Sequence, residues 1–199
     1  MKTVTRHITV IGIACLCLCS PASGQTSQVD ITIPESIPIF PLQDIMLFPG
    51  ASRPLHIFEP RYRDMIADAM EGDRIIGMVM LRPGSEDSYD GNPPIYDIGC
   101  AGIISNVERL PDGRYNVIVQ GLARFRITSE DQTRTYRIAS INVLDEVLSD
   151  ADRETLRSQR PLLLELLSFV APGQKPTVDE MPDDMLVNGL AQFLGMNPA

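Results

Sequence analysis

The sequence predicts an α+β domain that is mainly β, with one helix packed on the sheet and a small C-terminal helical segment. Three observations carry this. The run Pro38-Ile-Phe-Pro-Leu-Gln-Asp-Ile-Met-Leu-Phe-Pro-Gly50, followed by Pro54-Leu-His-Ile-Phe-Glu-Pro-Arg-Tyr62, places strand, turn, strand and helix-start signals in immediate succession. Two long strand-like segments flank Pro111-Asp-Gly113, whose Asp-Gly step is a strong hairpin signal. After Ser149 the apolar spacing changes from the alternation of strands to the three-and-four spacing of helices.

The first 24 residues read as an export signal. Lys2 and Arg6 give a basic start, Ile8 to Cys19 an apolar stretch, and Ala22-Ser-Gly24 a small-x-small cleavage site. That stretch is about a dozen residues, short of the roughly twenty a spanning helix needs, so cleavage with no stable membrane span afterwards is expected. The protein is expected to be exported, to a periplasm or outside the cell. A lipoprotein anchor fits less well: Cys15 has Gly12 three residues before it, and Cys17 and Cys19 each follow a leucine. Cleavage would leave Cys100 as the one cysteine, so no internal disulfide could form and stability must come from packing. Losing Lys2 and Arg6 also takes the 17 basic residues to 15 against 26 acids, a formal charge of −11. A charge of that sign disfavours nucleic acid and anionic membrane surfaces as partners.

Residues 25–36 form a polar leader, with the alternation Val29-Asp-Ile-Thr-Ile33 as its pattern. A β domain follows over 37–148. Ile37, Ile39 and Ile45 to Phe48 are apolar runs broken by Pro38, Pro41 and Pro49-Gly50, which predicts strands that are short, edge-like or ended by turns, and Pro54 to Phe58 predicts another short strand. Pro60 suits a first helical position and Gly72 a stop. Between them Tyr62, Met65, Ile66, Ala69 and Met70 make one apolar face. Arg74 to Leu81 is almost continuously apolar, as in a strand covered on both sides. Residues 82–94 read as a loop. Ile98 to Leu110 and Arg114 to Ser129 are the hairpin strands, with a bulge or bend expected at Gly121, and Tyr136 to Val147 closes the β part. Helices are expected over 149–197: Asp150 to Val170, kinked or divided at Pro161, and Pro182 to Leu194.

The chain resembles the N-terminal domain of the Lon protease family. The resemblance rests on Pro41-Leu42, Phe48-Pro49-Gly50, Pro54 through Phe58-Glu59-Pro60-Arg61-Tyr62, Ile98-Gly99-Cys100, Asp112-Gly113-Arg114-Tyr115, and Gly121-Leu122-Ala123-Arg124-Phe125, in family order from Ile37 to Glu146. It implies a PUA-like pseudo-barrel for the β part and a role in recognising unfolded or tagged protein substrates. Pro41, Leu42, Phe48, Pro49, Gly50, Phe58, Glu59, Arg61, Tyr62, Gly121, Arg124 and Phe125 are read as residues that build this scaffold, with Phe48, Phe58 and Tyr62 packing the barrel against its helix. The residues that would touch a peptide are not assigned.

The 199 residues contain no Gly-x-x-x-x-Gly-Lys-Ser/Thr phosphate loop. Lys175 sits in a turn-like Pro172-Gly-Gln-Lys-Pro176 with no serine fixed beside it, a poor setting for a Ser/Lys pair, whose lysine must be desolvated to lose its proton. His56 lies between Leu55 and Ile57, where a surface or packing role outweighs general-base work; with Cys100 it could supply two zinc ligands of the four needed. Glu86, Asp87 and Asp90 lack calcium-loop spacing. Arg114, Arg124 and Arg126 could suggest phosphate contact, but a salt-bridged face suits so acidic a chain better. Met46, Met65, Met70, Met78 and Met80 are read as core filling before an adaptable binding surface. The expectation is therefore a non-catalytic polypeptide-binding or adaptor domain, without cofactor or metal, whose partner is an unfolded polypeptide or a protein complex. An exported hydrolase on the same scaffold and a docking subunit of an envelope complex are the alternatives.

Overall fold

The structure, a computed structural model, describes residues 31–84, 91–145, 148–170 and 181–191. Its elements run β1 (Ser36–Leu42), β2 (Ser52–Ile57), α1 (Pro60–Glu71), β3 (Ile75–Leu81), β4 (Ile95–Arg109), β5 (Tyr115–Asp131), β6 (Arg137–Val143), α2 (Asp150–Val170) and α3 (Asp183–Ala191). The fold is α+β and mainly β, as expected.

The strand order is β2-β5-β4-β3-β1-β6, and β6 also pairs with β5, so the sheet closes on itself. Closure is possible because β5 is long enough to serve two neighbours in turn. Its first half pairs with β2, from Ser52↔Gln120 to Ile57↔Tyr115, and its second half with β6, from Phe125↔Val143 to Asp131↔Ile138. The change of neighbour falls at the predicted irregularity: opposite β4, Ala101 faces Ala123 while Gly102 faces Gly121, leaving Leu122 as an extra residue. The Asp112-Gly113 turn joins β4 to β5, with Gly113 at φ 83°, the left-handed region the turn requires.

Two cores result. Inside the closed sheet Phe125, fully buried, packs with Ile37, Ile39, Val79 and Ile141. A Cβ on Gly77 would lie 2.8 Å from the Phe125 ring, so this glycine makes room for the aromatic. Outside it, α1 lays Tyr62, Met65, Ile66 and Ala69 over Ile76, Met78 and Ile104. β3 serves both cores, Ile75 and Val79 inward and Ile76 and Met78 towards α1, which explains its uninterrupted apolar run.

Pro60 opens α1 and Gly72 follows its last residue, as the sequence indicated. The left-handed residue is Arg74, at φ 61°, whose N–H donates to the Ala69 carbonyl at 3.0 Å while its own carbonyl accepts from Ile104. Three expectations need correction. Ile45 to Phe48 is not a strand; Leu47 is buried there because the segment lies over Gly102 and Gly121, not because it joins a ladder. Of the two expectations at Pro161, a kink or a division, the division is excluded, since α2 runs as one helix through it. The last helix starts at Asp183, with Pro182 just before it; Phe193 and Leu194 lie outside the described residues.

Candidate functional site

β2 is the strand that shapes the surface. It pairs with β5 on one side and with no other strand among the described residues. The Gly121 N–H donates to the Ala51 carbonyl at 2.8 Å, which sets the parity: odd-numbered residues turn their backbone groups to β5 and even-numbered ones turn theirs away. Pro54 has the outward parity, where its missing N–H costs no ladder bond, and next along this edge is His56. Leu55 and Ile57 are buried while Pro54 and His56 are exposed.

Just past the strand, Phe58 is 61% exposed. This corrects the expectation that it packs against α1. Glu59 and Pro60 turn the chain into the helix immediately after it, so the ring is left beside His56, with centroids 6.3 Å apart. Phe58 rims a groove of 210 Å³ whose other apolar walls include Phe40, Leu42, Ile45 and Tyr62. Tyr62 is buried with its ring 4.5 Å from that of Phe40, and Phe48 is half-buried. A strand edge with outward backbone groups, beside an apolar groove and an exposed aromatic, can accept an extended peptide: backbone pairing supplies affinity and alternate side chains enter the groove.

His56 takes part in a directional chain. Arg114 can only donate, so its Nη1 at 3.2 Å makes His56 Nε2 an acceptor and Nδ1 the donor to Asn116 Oδ1 at 2.8 Å. Asn116 in turn donates to Glu108. Arg114 also pairs with Asp112 at 2.6 Å, and this hydrogen-bonded guanidinium holds the Asp112 carboxyl below the usual carboxylate range. The imidazole is thus engaged through both nitrogens, by Asn116 and Arg114.

A second concavity, of 320 Å³, is polar. Arg61, Arg134, Arg137, Tyr62 and Tyr136 line it. The Tyr136 hydroxyl donates to Asp68 at 2.5 Å, and burial followed by that carboxylate pushes its pKa up to about 12. Arg134 pairs with Asp68 and Arg61 with Glu59. Arg137, 9% exposed, donates to Glu130 and to the Pro93 carbonyl.

The scaffold residues meet as a unit. The Gly50 N–H donates to the Gly121 carbonyl at 2.9 Å, so the Phe48-Pro49-Gly50 turn and the Gly121-to-Phe125 block are one contact. Asn188 of α3 donates to the Pro49 carbonyl at 3.1 Å, and Met185 lies against Gly50. Pro41 is buried and Leu42 half-buried at the end of β1. Arg124 faces Cys100 across the β4–β5 ladder, and Arg126 pairs with Asp97. Arg114 and Arg126 are therefore salt-bridged, as the acidic composition suggested. Cys100 is buried, its thiol donating to the Ala101 carbonyl, and Met65 and Met78 are core residues. Lys175, Glu86, Asp87 and Asp90 lie outside the described residues. Among the described residues no three His, Cys, Asp or Glu side chains group as metal ligands, and no helix is long and apolar enough to cross a membrane.

Sequence reasoning missed Phe58 as a surface residue. The available signal was its place between a strand end and Glu59-Pro60, beyond the alternation that buries Leu55 and Ile57.

Comparison with known proteins agrees with this architecture. Residues 36–198 match the family described as the ATP-dependent protease La (LON) substrate-binding domain. A Lon protease of Dictyoglomus thermophilum is 30% identical over 173 residues, covering 83% of this chain and 21% of that protein. One of Parabacteroides distasonis is 32% identical over 167 residues, covering 80% of this chain and 20% of that protein. The chain thus spans about a fifth of the length of the curated relatives it matches. The N-terminal domain of a Mycobacterium avium complex Lon protease superposes with a TM-score of 0.54 at 17% identity, covering 68% of this chain and 69% of that one, which supports the fold.

Proposed function

This chain belongs to the family of Lon protease substrate-binding domains, and from that premise we propose that it is a non-catalytic, exported module that binds unfolded or partly folded polypeptide. The observation that carries the reading is the outward edge of β2, at Pro54 and His56, beside the apolar groove and the exposed ring of Phe58. An extended segment pairs with this edge, and an apolar side chain settles against Phe58 and Leu42. A folded protein has few unpaired strands to offer, so the edge discriminates by conformation before sequence.

The non-catalytic reading is supported by the engagement of both His56 nitrogens and by the burial of the Cys100 thiol, which leave neither poised as base or nucleophile. The ion pairs of Arg114, just before β5, and Arg126, within it, argue against a phosphate-tracking surface for nucleic acid. Export rests on the basic, apolar and small-residue pattern of residues 1–24. Its check is the N-terminal sequence of the protein recovered from the periplasm or medium: Gln25 as first residue supports export, and an uncleaved Met1 in the cytosol overturns it.

The binding test is titration of fluorescent unfolded casein, with a native protein as control, into the wild type and Phe58→Ser. Losing the burial of one aromatic ring, about 1.5 kcal/mol, predicts roughly tenfold weaker binding for the variant. No association of the wild type with casein at high micromolar concentration would overturn the proposal.

A further inference from the structure

The arginine-lined cleft shares Tyr62 with the groove beside β2 and has a chemistry of its own. The chain carries a net charge of −9, yet Arg61, Arg134 and Arg137 line this cleft and no acidic residue does. Their partners Glu59, Asp68 and Glu130 pair with them from outside the lining. A guanidinium has five N–H donors in a planar fork, and Arg134 spends one of them on Asp68.

Tyr62 supplies an independent observation. The residue is 5% exposed and lines the cleft, and burial raises the pKa of its hydroxyl, which keeps it a protonated donor. The hydroxyl of Tyr136, by contrast, is committed to Asp68. A tyrosine hydroxyl on the cleft wall can donate to an acceptor bound there. The charge of Arg137 reaches the Tyr62 hydroxyl, so an anion there meets donor and cation together.

From this geometry we infer that the cleft binds a single carboxylate, such as the free end of a peptide or a small organic acid, through the Tyr62 hydroxyl and the guanidinium groups of Arg134 and Arg137. A carboxylate fits better than a phosphate dianion because three guanidinium groups are already balanced by three carboxylates. An anion here is therefore held by unused guanidinium N–H donors and the tyrosine hydroxyl, and the second negative charge of a phosphate adds repulsion from those three carboxylates without adding donors. At 320 Å³ the cleft is at the small end of ligand sites, with room for a terminal residue or two.

The test is an amide-resolved NMR titration of the whole protein with N-acetyl-dialanine bearing a free carboxylate, the same peptide amidated, and inorganic phosphate. The free carboxylate is expected to give saturable shifts at Asn92, Thr135, Tyr136 and Arg137, and the amide to bind at least about fivefold more weakly for want of charge-assisted bonds. Tyr62→Phe, which keeps the ring, should weaken binding by roughly fivefold. Arg134→Gln, at an exposed position, should do the same and decides the matter if Tyr62→Phe fails to fold. Equal binding of acid and amide, tighter binding of phosphate, shifts confined to other surfaces, or no saturable shift would each overturn the inference.

Discussion

Replacing Gly121 with alanine tests the central joint of the scaffold. An added Cβ would lie 2.1 Å from the Phe48 carbonyl oxygen and 2.8 Å from its carbon, both backbone atoms. Relief to ordinary contact moves the Phe48 segment by roughly 1 Å in a close-packed interior. That segment is held by two backbone hydrogen bonds, Gly50 to Gly121 at 2.9 Å and Gly121 to Ala51 at 2.8 Å, and it carries the buried Leu47. Losing two such bonds at about 1 kcal/mol each, with about 1–3 kcal/mol for overpacking, predicts a destabilisation of about 3–5 kcal/mol. In equilibrium urea unfolding, with a slope of about 2 kcal/mol per molar, the midpoint should fall by roughly 2 M. Gly72→Ala is the control: its Cβ would meet only backbone oxygens at 3.8 and 3.9 Å, and its cost should stay within about 0.5 kcal/mol. If Gly121→Ala unfolds within about 1 kcal/mol of the wild type, the close approach does not set the joint and the reasoning fails.

Two further predictions follow from burial and ionisation. Phe125→Ala should cost about 3–5 kcal/mol in the same unfolding assay, because its ring fills the closed sheet, while Phe58→Ala should be nearly neutral; equal costs would contradict the two placements. Tyr136 titrates near 10 when unfolded and is pushed up to about 12 in the folded protein, so its contribution is complete below about pH 10 and is lost as pH rises through about 12. Thermal melts of Tyr136→Phe should therefore show a shallower alkaline loss than the wild type over that window, and identical profiles would refute the assignment.

Local chemistry made much of the fold legible. Pro60 and Gly72 bracket α1 because a missing N–H is harmless at a helix start and a glycine ends the apolar stripe. Asp112-Gly113 marks the hairpin because its turn needs a positive φ, and Gly121 marks the bulge because only a residue without a side chain fits under the Phe48 carbonyl. Prolines alone did not mark the edge: β1 keeps Pro38 and Pro41 while pairing with β3 on one side and β6 on the other. What failed shares one cause: apolar pattern reports burial and not hydrogen-bond pairing. Ile45 to Phe48 reads as a strand because Leu47 must be covered, yet it packs as a loop over the sheet. Phe58 reads as core because it is aromatic and adjoins a strand, yet the turn at Glu59-Pro60 leaves it outside. Closure through β5 and β6 depends on residues far apart in sequence, which periodicity does not encode. The candidate site was least legible for the same reason, since a free edge is defined by the neighbour a strand lacks.

Hydrogen exchange at the backbone amide of His56 tests the peptide-binding account most directly. The register turns this N–H away from β5, so in the unliganded protein it should exchange faster than the amides of Leu55 and Ile57. Saturating unfolded casein should slow exchange at His56 by supplying a strand partner, while Leu55 and Ile57 change little. Binding of casein without any slowing at His56 would contradict edge pairing and place the polypeptide elsewhere on the molecule.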